Sequence, residues 1–279
     1  MPDIRQALQR SVDLEALSES ARLDVELLLC HVLDKSRTYL MMHPDAVLSA
    51  EQQVQLEALL QRRIQGEPVA HLLGQWSFWS FDLAVNASTL IPRPDTECVV
   101  EKALELLPAG PAKVADLGTG TGAIALALAT ERPAWQVFAV DFVADAAELA
   151  EQNRRSLGLS NVTVLQGSWL EPVSEDLHMV VSNPPYIDPE DPHLAQGDVR
   201  FEPRSALVAD DHGLADIRTI SAQAWKQLHN EGWLLFEHGY DQAAAVQGIL
   251  QAQGYSQVAS AQDLAGNDRM TWGRKRLIL

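Results

Sequence analysis

The chain has 279 residues, 47% hydrophobic and 21% charged, the composition of an ordinary globular protein with one large domain or a small one joined to a medium one. No apolar stretch approaches the roughly 18 residues that a membrane-spanning helix needs. The net charge of -17 argues against a long nucleic-acid footprint, which needs clustered Lys and Arg. The opening Met1-Pro2-Asp3-Ile4-Arg5-Gln6 lacks the apolar centre and small-residue cleavage site of a secretory signal. Cys30 and Cys98 lie in separate helix-like segments, as small buried hydrophobes of a reducing compartment do. A cytoplasmic protein is expected, without a membrane partner, and the basic run Gly273-Arg274-Lys275-Arg276 reads as a solvated end.

The first seventy or so residues read as short helices. Val25, Leu28, Leu29, Val32 and Leu33 repeat as one buried helix face does. A second helix starts at Ser49, where Ser49 and Gln52 make a capping box, carries the stripe Leu56, Leu59, Leu60 and Ile64, and stops at Gly66 and Pro68. Helices with one wet face each must cover one another, so residues 1–73 are read as a small helical-bundle domain.

The period then changes. Trp76 and Phe78, followed by Phe81, Leu83 and Val85, alternate around a polar break at Ser80 and predict a β-hairpin linker over residues 74–92. Pro92 and Pro94 forbid helix, and Asp95 or Thr96 is placed to cap the helix whose inner side is Val99, Val100, Ala103, Leu104 and Leu107.

From Lys113 onward, apolar runs of strand length alternate with helical patterns: Lys113–Leu117, Val137–Val140, Val162–Leu165, His178–Val181 and Trp233–Phe236, then the weaker Tyr255–Ala259 and Met270–Trp272. Such alternation predicts an α/β domain over residues 93–279, a doubly wound, mainly parallel seven-stranded sheet with helices on both faces.

Gly118-Thr119-Gly120-Thr121-Gly122 follows the first of these strands and precedes a helix. That puts the glycines at the carboxyl edge of the sheet, where ligands bind. Alternate glycines exceed what a turn requires and favour close approach of a ligand to the backbone. Asp141 ends the next strand, where a carboxylate can accept from both ribose hydroxyls of an adenosine group or merely cap the following helix. Trp169, after the third strand, either flanks an adenine ring or fills core. These features suit a dinucleotide and S-adenosylmethionine equally.

Asn183-Pro184-Pro185-Tyr186, after the fourth strand, decides between the two. Consecutive prolines fix φ and remove two donors, leaving a stiff turn of acceptors. The Asn183 side-chain oxygen and the Pro184 carbonyl can each take one hydrogen of a planar NH2 group, with the Tyr186 ring against its plane. The fourth strand of a doubly wound sheet lies beside the first, which brings Asn183 next to the glycine loop. The chemistry expected is methyl transfer from S-adenosylmethionine to a planar nitrogen, driven by orientation and without a general base.

The chain resembles the PrmC/HemK family of protein-glutamine N5-methyltransferases that act on peptide chain release factors. The resemblance is carried by the helical N-terminal region, by Leu90-Ile91-Pro92-Arg93-Pro94-Asp95-Thr96-Glu97, by Asp116 to Gly122, by Asn183 to Ile187 and by Asp198-Val199-Arg200-Phe201-Glu202-Pro203. It implies a class I methyltransferase fold and S-adenosylmethionine as cofactor, with S-adenosylhomocysteine as product. The substrate implied is the glutamine of the Gly-Gly-Gln loop of release factors 1 and 2. By position, Gly118, Thr119, Gly120, Thr121, Gly122, Asp141, Trp169 and Asn183 are implied to contact the cofactor. Asn183, Pro184, Pro185 and Tyr186 are implied to hold the glutamine, with Asn183, Pro184 and Tyr186 catalytic. Asp95 replaces the glutamate more usual in its segment.

The helical domain is expected to recognise the protein substrate, and the long segment from Asp188 to Asp211 to cover it or to be a solvated insertion. His238 reads as a packed residue rather than a catalyst. No metal site is expected, since the histidines and cysteines lack metal spacing, and a monomer is expected. The rival is an adenine N6-methyltransferase of nucleic acid, whose target is also a planar NH2; the acidic balance speaks against it.

Overall fold

The structure, a computed structural model, describes residues 2–276. Contacts divide the chain into two compact units, Met1–Gln75 with Pro192–Phe201, and Trp76–Asp191 with Glu202–Leu279. No helix among the described residues is long and apolar enough to cross a membrane.

The first unit holds α1 (Ile4–Leu8), α2 (Ala21–Leu33), α3 (Arg37–Met42), α4 (Ala50–Ile64) and α5 (Val69–Leu73). Ser49 and Gln52 satisfy each other's backbone N–H at the start of α4, the capping box read from the sequence. Helices α2 and α4 pack together, with Val25, Leu28 and Leu29 of α2 and Leu56 and Leu60 of α4 buried. The last inward position of α4 is Arg63, not Ile64, which stays half-buried. The Arg63 side chain is 5% exposed, and its guanidinium donates to Asp24 at 2.8 Å and Asp198 at 2.8 Å, and to the carbonyls of Gly66 and Glu67. A charge in the core is tolerable only with partners of this kind, and sequence periodicity cannot show them.

In the second unit, β1 (Gln75–Phe78) and β2 (Phe81–Ala84) form the hairpin. Next come α6 (Asp95–Leu106), β3 (Ala112–Leu117), α7 (Ala123–Glu131), β4 (Trp135–Asp141), α8 (Ala144–Ser156), β5 (Val162–Gln166) and β6 (Leu177–Ser182). The single turn α9 (Asp210–Gly213), α10 (Ala215–Gln227), β7 (Leu228–Glu237), α11 (Ala243–Gln253), β8 (Ser256–Gln262) and β9 (Asp268–Arg274) complete it. The sheet has seven strands in the order β5-β4-β3-β6-β7-β9-β8, parallel from β5 to β7, with β9 antiparallel to both its neighbours.

Alternation along the strands divides the core between two faces. Val114, Met179, Val181 and Leu235 join α6 and α7 on one face, while Ala115, Leu117, Val180 and Leu234 join α10 and α11 on the other. Each leucine buried in this way contributes about 1.5–3 kcal/mol of transfer free energy. The strand order reverses between β3 and β6, so the ends of these two strands bound the crevice in which α/β sheets take ligands.

Three expectations need correction. Pro94, not Asp95 or Thr96, is the N-cap of α6, because Asp95 already begins the helix. Cys30 and Cys98 are free but half-buried rather than interior. The basic run is no solvated end: Gly273 and Arg274 lie in β9, and buried Lys275 donates its Nζ to the Leu228 carbonyl at 2.6 Å. Pairing of β9 between β7 and β8 pulls this segment into the sheet.

Candidate active site

The glycine loop begins where β3 ends. Gly118, Gly120 and Gly122 all take left-handed backbone, at φ +68°, +55° and +87°. A Cβ is disfavoured there, so the fold of the turn itself demands all three, more than the sequence reading allowed for turn geometry. The Gly118 and Thr119 N–H groups both donate to the Val140 carbonyl at 2.9 Å, which pins the loop to the end of β4. Beneath it, the Asp116 carboxylate accepts from the Thr119 hydroxyl at 2.6 Å and from the Ala125 N–H at 3.1 Å. Its second oxygen is buried without a partner among the described residues, and desolvation pushes this carboxyl up to about 7.

The Asp141 carboxylate does two things. One oxygen accepts from Val143, the residue capping α8, and the other from Gly120 across the loop, both at 2.9 Å. A carboxylate has about four lone-pair sites, so acceptor capacity is left for a ligand. Burial pushes its ionisation up while these backbone donors oppose it.

A cavity of about 370 Å³ opens here, lined among others by Gly118, Thr119, Gly120, Thr121, Asp141, Trp169, Asn183 and Pro185. That is within the size range of small-molecule sites. Trp169 lines the cavity and also packs on the core. Gly122, Pro184 and Tyr186 do not line it: Gly122 faces Leu126 of α7, Pro184 is buried, and the Tyr186 hydroxyl is held by Arg269. The Tyr186 carbonyl is occupied too, accepting from Gln242 Nε2 at 3.0 Å.

Asn183 reaches the cavity because Ser182 pairs with Leu117 in the β3–β6 register and its hydroxyl donates to the Leu117 carbonyl at 2.7 Å. The next residue therefore stands level with Gly118. The Asn183 amide nitrogen donates to the Thr96 hydroxyl at 3.4 Å. His238 is buried and neutral in tendency, its ring nitrogens bonded to the Gly239 carbonyl at 2.9 Å and the Thr271 hydroxyl at 2.7 Å.

Several lining residues escaped the sequence reading: Thr89, Arg93, Thr96, Phe142, Ser205 and Asp216. Phe142 was within reach, being an exposed aromatic directly after Asp141; Asp216 carries no local signal. The segment after Asp188 is not structureless, since it forms short 3-10 turns at Pro192–Ala195, Gly197–Phe201 and Arg204–Ala206. Its Glu202 is buried and accepts from the Ile91 N–H at 3.0 Å and from Arg93 at 2.8 Å, joining two of the motifs that carried the resemblance.

Residues 6–74 match the PrmC N-terminal domain and residues 101–198 the methyltransferase small domain. A release factor glutamine methyltransferase from Shewanella oneidensis is 53% identical over 273 residues, covering 97% of this chain and 96% of that protein. This chain belongs to the release factor glutamine methyltransferase family. Another release factor glutamine methyltransferase, from Pseudomonas aeruginosa, is 54% identical, with 92% of this chain and 94% of that protein covered. A methyltransferase structure from Pyrococcus furiosus shares the fold at a TM-score of 0.56 and 16% identity, covering 78% of this chain and 98% of that one.

Proposed function

We propose that this chain transfers a methyl group from S-adenosylmethionine to the side-chain amide nitrogen of the Gly-Gly-Gln glutamine in release factors 1 and 2. The observation that carries this reading is the placing of the Asn183 amide and the glycine loop in one cavity wall. The cavity fits the cofactor. A Cβ at Gly118 would stand 3.5 Å from the Trp169 ring and narrow the slot that an adenosine group needs. The Thr89 hydroxyl oxygen, buried on the same wall, has no partner among the described residues and is ready to bond a ligand.

When bound, S-adenosylmethionine supplies an electrophilic methyl group on sulfur. Asp141 holds the ribose hydroxyls, and Trp169 and Phe142 flank the base. Asn183 Oδ1, the acceptor of this turn that reaches the cavity, takes a hydrogen of the glutamine amide and turns its nitrogen lone pair toward the cavity. The residues thus act through orientation and exclusion of water rather than through proton removal. The helical unit supplies a second surface for the release factor, where Met41 and Met42 of α3 stand 75% and 70% exposed as adaptable apolar contacts. The protein acts as a cytoplasmic monomer and uses no nucleic acid.

Labelled S-adenosylmethionine, offered with purified release factor, with its Gln-to-Ala loop variant, or with DNA and RNA, tests the reading. Label should enter only the unaltered release factor. Label on nucleic acid alone would replace glutamine by adenine as the target.

A further inference from the structure

Glu237 ends β7 at the same sheet edge as the candidate site. Ser182 pairs with Phe236 in the β6–β7 register, so the next residues, Asn183 and Glu237, stand level. Glu237 is buried, and the Thr96 hydroxyl and the Asn183 amide face its carboxylate and favour its ionised form. Its Oε2 has no partner among the described residues. We infer that Glu237 is a positioning residue for methyl transfer: it fixes which way the Asn183 amide faces, directly and through Thr96.

Donors and acceptors set this orientation, and the inference rests on the role proposed for Asn183. An ionised carboxylate can only accept. It therefore obliges the Thr96 hydroxyl to donate to it, which leaves the Thr96 oxygen as an acceptor for the Asn183 Nδ2–H at 3.4 Å. With the nitrogen of Asn183 held inward on both counts, its Oδ1 is the atom left to face the substrate NH2. A protonated or amide side chain at 237 can donate, so the order of the chain is no longer imposed and the amide is free to turn over, presenting a donor to a donor.

The surroundings make this orientation sensitive to pH. Burial pushes the Glu237 carboxyl up to about 7. Arg269 of β9, together with the Thr96 and Asn183 donors, opposes that rise, and Asp95 at the start of α6 adds to it. The Tyr186 hydroxyl also faces the group and is itself pushed up by burial and by Glu237. Above about 7 the acceptor form prevails, and below it the rate should fall.

The test compares Glu237→Gln, Thr96→Val, Thr96→Ser and Asn183→Ala in the full-length enzyme, with release factor as substrate and cofactor affinity measured separately. Glu237→Gln and Thr96→Val should each lower kcat by roughly tenfold or more, the effect of losing one orienting hydrogen bond, at unchanged cofactor affinity. Thr96→Ser should retain the rate, and the acidic limb of the wild-type profile should vanish in Glu237→Gln. Because the effect runs through Asn183, adding Glu237→Gln to Asn183→Ala should lower the rate no further. A folded Glu237→Gln enzyme with wild-type kcat and pH profile, or an equal further loss in the Asn183→Ala background, overturns the inference. If Glu237→Gln does not fold, the Thr96 pair and the wild-type acidic limb decide: a Thr96→Val rate equal to wild type overturns it. A near-normal Asn183→Ala rate instead overturns the underlying reading of the site.

Discussion

Arg63 in the helical unit and Glu237 at the sheet edge are both buried ionisable groups, and they are housed in opposite ways. Arg63 gives its Nε and Nη1 hydrogens to Asp24, Asp198 and two carbonyls, and no buried atom of its side chain is left without a partner among the described residues. Glu237, like Asp116 under the glycine loop, keeps one oxygen without a partner among the described residues. A completed polar network holds a fold together, whereas an incomplete one stores acceptor capacity where something else is to be bound or aimed. Polar burial in the first unit is therefore about stability, and at the strand ends of the second it is about chemistry.

The largest effect that can sharpen this contrast is Arg63→Ala, which strands the Asp24 carboxylate. It should remove about 3–5 kcal/mol of unfolding free energy, read by urea denaturation, and Arg63→Met combined with Asp24→Leu should recover most of that. Failure of the apolar pair to recover stability would show that the network does more than hold the bundle. Asn183→Ala comes next. It should lower kcat by about 10²–10³-fold, as loss of an orienting group does, with an unchanged melting temperature; a large loss of stability would erase the distinction between the units. Asp141→Ala should weaken S-adenosylmethionine binding by roughly tenfold or more, in line with a hydrogen bond to a charged group, as followed by calorimetry.

The last effect is a slope. The Asp116 carboxyl is pushed up to about 7 by burial, so its protonated form is favoured in the folded state. Its contribution to stability is complete below about 4, the ordinary aspartate range, and is lost as pH rises toward about 7. Asp116→Asn should flatten stability against pH across that window in denaturant titrations. An unaltered slope would remove Asp116 from the comparison.

What the sequence made legible follows from range. All seven strands of the large sheet are visible as apolar runs because alternation and breakers are local signals. The start of β7 is hidden because His229, Asn230 and Glu231 are polar, and only pairing extends the strand back to Leu228. Around the site, the glycine loop, Asp141 and Asn183 could be found because each directly follows a strand. Thr96, Asp216 and Glu237 could not, since their roles come from partners far away in the chain. His238, read as a packed residue rather than a catalyst, has both ring nitrogens bonded, and it is its neighbour Glu237 that has the unfinished hydrogen bonding. Arg63 was missed for the opposite reason: a charged residue on an apolar stripe reads as a boundary until its counter-charges, 39 and 135 residues distant, are known.

The place of β9 between β7 and β8 has a consequence for biosynthesis. Seen in order of translation, β8 emerges before the strand that joins it to the rest of the sheet, and β7 waits with one edge open. The cavity wall built from the ends of β3 and β6 is complete in sequence at Asn183, some eighty-five residues before Asp268, roughly 4–17 seconds of elongation at roughly 5–20 residues per second. For that interval the nascent chain carries unpaired strand edges, the kind of surface that chaperones cover and that aggregation exploits. A ribosome stalled just before Asp268 would therefore display a chain with all its site motifs made and its sheet still open.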